Sequence, residues 1–131
     1  MRITVDTNVL IRGVVRDDEK QAQAADKMLK EASLIAVSLP CLCEFVWVLR
    51  RLYSLGNADI AAAIRALIAT EKVVMNRQAV EVGLAMLDSG GDFADGVIAY
   101  DGTWMGAEEF VSFDKKAVSL LAKQGQAARL L

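Results

Sequence analysis

The apolar positions of the chain change period repeatedly, from short near-continuous runs to stretches in which they recur every three or four residues. "RITVD" (2–6) is the first short run. "TNVLIRGVV" (7–15) and the helix-former-rich "DDEKQAQAADKMLKEA" (17–32) follow it. "LIAVS" (34–38) reads as a strand, and "LPCLCEFVWVLRRLYSLG" (39–56) as a helix with Pro40 in its first turn and Gly56 near its end. "NADIAAAIRALIAT" (57–70) predicts a helix capped by Asn57. "KVVMN" (72–76) predicts a strand, and "RQAVEVGLAMLDSGG" (77–91) a helix stopped by glycines. "DFADGVIAYDGTWM" (92–105) is helical and "EEFVSF" (108–113) a strand. "DKKAVSLLAKQG" (114–125) is helical as far as Gly125, and "ARLL" (128–131) is a last short strand. Such alternation predicts an α/β fold, with a parallel sheet covered by helices on both faces. Ligands of open parallel sheets gather at the carboxyl ends of the strands, where Asp6 falls.

Length and composition narrow the picture. A chain of 131 residues predicts one domain, 1–131, and the single proline argues for short connections. With 54% hydrophobic and 24% charged residues, it can bury a core and stay in solution. Its apolar stretches stop short of the ~18–20 residues of a membrane span. Asp6 interrupts any apolar leader, so the expectation is a cytoplasmic protein with no membrane association. Cys41 and Cys43 have no metal-ligand spacing, and residues two apart on a helix face differently, which predicts buried thiols rather than a disulfide. Histidine is absent, which removes Ser-His-Asp and Cys-His catalysis and histidine-ligated zinc. Chemistry must come from carboxylates, hydroxyls and bound metal. The net charge of −2 restricts any nucleic-acid contact to a local basic surface.

The acids are the informative residues. Asp6 and Asp114 each end an apolar run and precede a helix, so each can be a helix N-cap. Asp92 and Asp95, three apart, share the N-terminal face of one helix, where negative charge is favourable. On that helix Phe93, Val97, Tyr100 and Trp104 form the expected apolar stripe. Gly96 and Ala99 fall on the acidic side and are expected to leave room for a ligand. Glu44 sits among Cys43, Phe45, Val46 and Trp47, too far along its helix to cap it. A carboxylate buried there needs a cation such as Arg51, a ligand or a wet pocket. Taken together, Asp6, Glu44, Asp95 and Asp114 make one metal site, since mutually repelling carboxylates invite a hard cation such as Mg²⁺ or Mn²⁺. Such ions activate water for phosphodiester hydrolysis.

"VDTNVLIR", the Glu44 of "LCEFVWVL", "DFADGVIA" and "SFDKKA", in this order and spacing, resemble PIN-domain ribonucleases, in particular the small bacterial toxins of the VapC/FitB type. The resemblance runs from Ile3 to about Leu121. It implies a three-layer α/β/α sandwich with a central parallel sheet, and RNA cleavage dependent on Mg²⁺ or Mn²⁺. It also implies neutralisation by a cognate antitoxin and a homodimer. By position, Asp6, Glu44 and Asp95 match the family's central acids and Asp114 the fourth. Asp92 matches a frequent accessory acid. Asn8 and Ser112 match polar residues that orient the carboxylates, Ser112 standing where threonine is commoner. Gly96 replaces a usual alanine, at up to ~1 kcal/mol of helix stability. Arg12, Arg16, Lys115 and Lys116 flank the motifs, as phosphate contacts or as solvated surface charge.

Other classes remain open on the residues alone. A receiver-type domain requires paired acids after its first strand and an Asp after its third, where this chain has Asn76. A haloacid-dehalogenase-type phosphatase requires two aspartates one residue apart, where Thr7 and Asn8 follow Asp6. A non-catalytic interaction module would use the acids as caps only and the apolar helices around "FVWVLRRLY" and "IAAAIRALI" as docking faces.

Overall fold

In the computed structural model, which describes Met1 to Leu131 throughout, the short apolar runs become strands and the periodic stretches helices. The order is β1 (Arg2–Thr4), α1 (Thr7–Val14), α2 (Glu19–Glu31), β2 (Leu34–Ala36), α3 (Leu39–Arg51), α4 (Asn57–Ala69), β3 (Val73–Val74), α5 (Arg77–Asp88), α6 (Phe93–Trp104), β4 (Phe110–Ser112), α7 (Lys115–Lys123) and β5 (Ala128–Leu130). The α/β class with parallel strands is therefore the one expected. The chain forms two compact units, Met1–Asn76 and Arg77–Leu131. No helix is long and apolar enough to cross a membrane.

The first unit carries a parallel sheet in the order β1-β2-β3, with Ile3 opposite Ile35 and Ile35 opposite Val73. The strands are short, but pairing runs on past them, Val5 N–H donating to Ala36 (3.3 Å) and Val37 N–H to Val74 (2.9 Å). That extension fixes the chain as it leaves β1 and β2, where Asp6 and Ser38 stand. Helix α3 starts because Ser38 Oγ accepts from Cys41 N–H (3.3 Å) and Pro40 pre-sets the first turn. Its buried positions, Cys41, Leu42, Phe45, Val46 and Leu49, define one face. The helix ends at Arg51, short of Gly56, and Ser54 turns the chain with a left-handed φ of 56°. The cap of α4 is Gly56 rather than Asn57, whose side-chain oxygen accepts from Arg50 instead.

In the second unit β4 and β5 pair in parallel, Phe110 opposite Ala128 and Ser112 opposite Leu130. Met86, Ala99 and Leu121 form a core cluster with Phe110, Leu120 and Ala128 packed around it. Helix α5 stops as expected at glycine: Gly90 takes φ +86°, and Gly91 N–H returns to Met86 (2.7 Å). Helices α5 and α6 approach closely through two glycines. A Cβ on Gly96 would lie 2.8 Å from the Val82 carbonyl oxygen and 2.9 Å from Gly83 Cα, and one on Gly83 would lie 2.5 Å from the Phe93 ring. Gly96 is thus a packing necessity, and the room expected beside the acids is filled by α5. Ala99 is likewise buried, whereas Trp104, placed on the apolar stripe from sequence, is 73% exposed.

Candidate functional site

Asp6 caps α1: its Oδ1 accepts from Val9 N–H (3.1 Å), and its carboxylate remains exposed. Asp6, Asn8 and Glu44 line one cavity of about 350 Å³ with Val5, Thr7, Ser38, Pro40 and Cys41. Asp6 and Glu44 thus line the same cavity of the first unit, but Glu44 is not the buried carboxylate the sequence suggests. Glu44 lies off the buried face of α3 and is exposed, like Trp47 at 59%. Water solvates it, and Arg51 makes no ion pair with it. What distinguishes Glu44 is its place across the cavity from Asp6.

The cavity lining also includes a thiol that the sequence suggests is only core. The buried Cys41 thiol takes a long hydrogen bond from Thr7 Oγ1 (3.9 Å). Burial pushes this thiol up, the Thr7 bond opposes that, and the charges of Asp6 and Glu44 raise it further. Both carboxylates therefore act on the same sulfur. The spacing of Cys41 three residues before Glu44 on a helix was the available signal.

In the second unit Asp92 caps α6, accepting from Ala94 N–H (3.3 Å), and Asp95 follows in the first turn. Asp114 caps α7, accepting from Ala117 N–H (3.0 Å). Ser112 Oγ accepts from Asp114 N–H (2.9 Å), so the hydroxyl at this position fixes the acid's backbone. Asp95 is half-buried, and its carboxyl is held above the usual range by burial first and then by the charges of Asp92 and Asp114. The structure thus brings Asp92 and Asp114 within electrostatic reach of Asp95. Within neither unit do three or more such side chains close into a ready-made metal cage.

Capping and ligation need not exclude each other. Asp6, Asp92 and Asp114 each accept the capping bond on Oδ1. A cap fixes the carboxylate while the second oxygen stays available.

The candidate phosphate contacts differ. Arg12 donates to Gln21 Oε1 (2.7 Å), Asp17 (2.6 Å) and Tyr53 Oη (3.4 Å), and Arg16 to Asp26 (2.9 Å) and Glu19 (3.1 Å). Both guanidinium groups are thus already engaged by neighbouring side chains. Lys115 and Lys116 are exposed and make no ion pair.

The sequence matches the PIN domain family over residues 3–120, and the chain belongs to that family. No curated protein matches it. PIN domains have a nuclease-type fold and are generally metal-dependent nucleases.

Proposed function

We propose that the chain is a metal-dependent endoribonuclease toxin, a single functional domain held in check by a cognate antitoxin and acting as a cytoplasmic homodimer. One observation carries the reading. Arginines pair with Asp17, Glu19, Asp26 and Glu109, but no cation pairs with Asp6, Glu44, Asp92, Asp95 or Asp114. In the second unit burial first, and then the charges of Asp92 and Asp114, hold the Asp95 carboxyl above its usual range. The donors are carboxylate oxygens, with the Asn8 amide beside Asp6, a set that suits Mg²⁺ or Mn²⁺. Asp6, Glu44, Asp95 and Asp114 would hold the ion.

When bound, such an ion activates water and neutralises charge at the scissile phosphate. The chain's own residues supply the positioning. The Val9 and Ala117 N–H groups fix Asp6 and Asp114, Ser112 braces Asp114, and Asp92 presses its charge on Asp95. Lys115 and Lys116 are free to meet phosphate oxygens.

Purified without antitoxin, the protein should cut single-stranded or looped RNA in Mg²⁺ or Mn²⁺ and stop in EDTA. Duplex RNA should resist, because A-form geometry hinders an in-line attack. Mn²⁺ should also raise the melting temperature in proportion to occupancy, and Asp6→Asn should abolish most of that rise. An identical Mn²⁺ shift in the variant would remove Asp6 from the site. Expression should arrest growth, and Asp95→Asn should not. Arrest that persists with a folded Asp95→Asn protein would refute the ribonuclease reading.

A further inference from the structure

Phe113 stands between Ser112 and Asp114 and is 81% exposed. The strand alternates up to this point: Phe110 and Ser112 are half-buried, Val111 and Phe113 exposed. A phenyl ring in water forfeits the free energy its burial would return, so an outward ring needs an explanation. The backbone that carries it is well anchored. On one side the Ser112 carbonyl accepts from Leu131 N–H (2.9 Å), and on the other Asp114 is tied to Ser112 Oγ (2.9 Å) and to α7 (3.0 Å). Its neighbours in the chain are an acid and two unpaired lysines, Lys115 and Lys116. Aromatic rings beside free cations are the means by which proteins hold single-stranded nucleic acid, the ring taking a base and the cations the backbone.

We infer that Phe113 is a stacking platform for a nucleobase of single-stranded RNA, an inference that rests on the ribonuclease reading. Asp114, one of the acids proposed to hold the ion, is the next residue, so the stacked base belongs to a nucleotide at or beside the scissile phosphate. Ser112, Asp114, Lys115 and Lys116 make these surroundings polar and charged, which favours a nucleotide over an apolar segment of a protein partner.

The test measures binding of a labelled single-stranded RNA oligonucleotide in EDTA, then steady-state cleavage of that RNA with Mn²⁺, for Phe113→Ala, Phe113→Leu and Phe113→Trp. Phe113→Ala should weaken binding about 5- to 150-fold, the range expected for one lost stack. Its KM should rise by a similar factor with kcat and melting temperature unchanged. Phe113→Trp should bind like the parent, and Phe113→Leu should bind like Phe113→Ala because stacking needs the ring. Parent-like affinity and KM in Phe113→Ala would overturn the inference while leaving the nuclease intact. Parent-like binding by Phe113→Leu would also overturn it, pointing to a general apolar contact such as a protein partner. A parent protein that neither binds nor cuts RNA would instead remove the ribonuclease reading itself.

Discussion

The two units hold their acids in different ways. In the first, Asp6 and Glu44 are exposed and line an open cavity, and the thiol of Cys41, pushed up mainly by burial, is raised further by their charge. In the second, burial holds the carboxyl of the half-buried Asp95 up, and the charges of Asp92 and Asp114 add to it. The cations flanking the acidic motifs also differ. The first unit spends Arg12 and Arg16 on its own acids, whereas Lys115 and Lys116 in the second remain unpaired. The first unit thus offers oxygen donors in an accessible setting. The second holds a half-buried acid whose ionised form a cation would stabilise, and presents the lysines that a phosphate would meet.

The largest expected effect tests whether both units are needed. Asp6→Asn and Asp95→Asn should each lower RNA cleavage on the order of 10²-fold or more, because each removes a charge at the transition state without changing side-chain size. A variant in either unit that kept full activity in a single-turnover assay would confine the chemistry to the other. Next in size is stability. Gly96→Ala should cost about 1–3 kcal/mol in denaturant melts, since its methyl meets backbone at 2.8–2.9 Å. Gly13→Ala, in α1 of the first unit with nothing within 4 Å, should stabilise by up to ~1 kcal/mol. Equal effects at the two glycines would mean that α5 and α6 are not in close contact.

Smaller again is Ser112→Ala, which should cost about 0.5–1.5 kcal/mol through the hydrogen bond lost to Asp114 N–H. Ser112→Thr should restore that bond. The smallest effect is a pH dependence. Because the folded carboxyl of Asp95 is raised, the native state holds more protons than the unfolded chain between the ordinary carboxylate value, near ~3.9, and the raised one. Stability therefore falls as pH climbs through that window, and the loss is complete above it. In EDTA, Asp95→Asn should lack this fall and melt a few degrees above the parent at neutral pH, with the gap closing in acid. Melting curves that stay parallel at every pH would show that the acids of the second unit are not in tension.

Element identity was legible because hydrophobic period and punctuation agree along most of the chain. Pro40 starts α3, Gly90 and Gly91 stop α5, and the Asp residues before α1, α6 and α7 cap them. Sequence failed where a tertiary neighbour decided the outcome. Asn57 reads as a cap, but Arg50 engages its oxygen, so Gly56 takes the position. Glu44 looked buried because its sequence neighbours are apolar, yet helical rotation turns those neighbours inward and Glu44 outward. Gly96 looked like space for a ligand, and only the path of α5 shows that its missing Cβ admits another backbone. Asp6, Asp92 and Asp114 were legible because each stands at an element boundary. The occupation of Arg12 by Tyr53 and Asp17 was not, because it depends on residues up to 41 positions away.

That Asp6, Asp92 and Asp114 each cap a helix also constrains how such a gene can decay. Asparagine caps a helix about as well as aspartate, whereas alanine sacrifices about 0.5–2 kcal/mol at each position. A lineage that loses the activity but still needs a folded product, for instance to go on sequestering a partner, can cross to Asn, or to Ser, with little harm, while Ala jeopardises the fold. At Asp95, which accepts no capping bond, the same lineage is free to drift through many more residue types. Inactive descendants should therefore carry Asn or Ser where the acids cap and scattered replacements where Asp95 stood. In genomic surveys that asymmetry would distinguish a retired catalyst from a gene on its way to being lost.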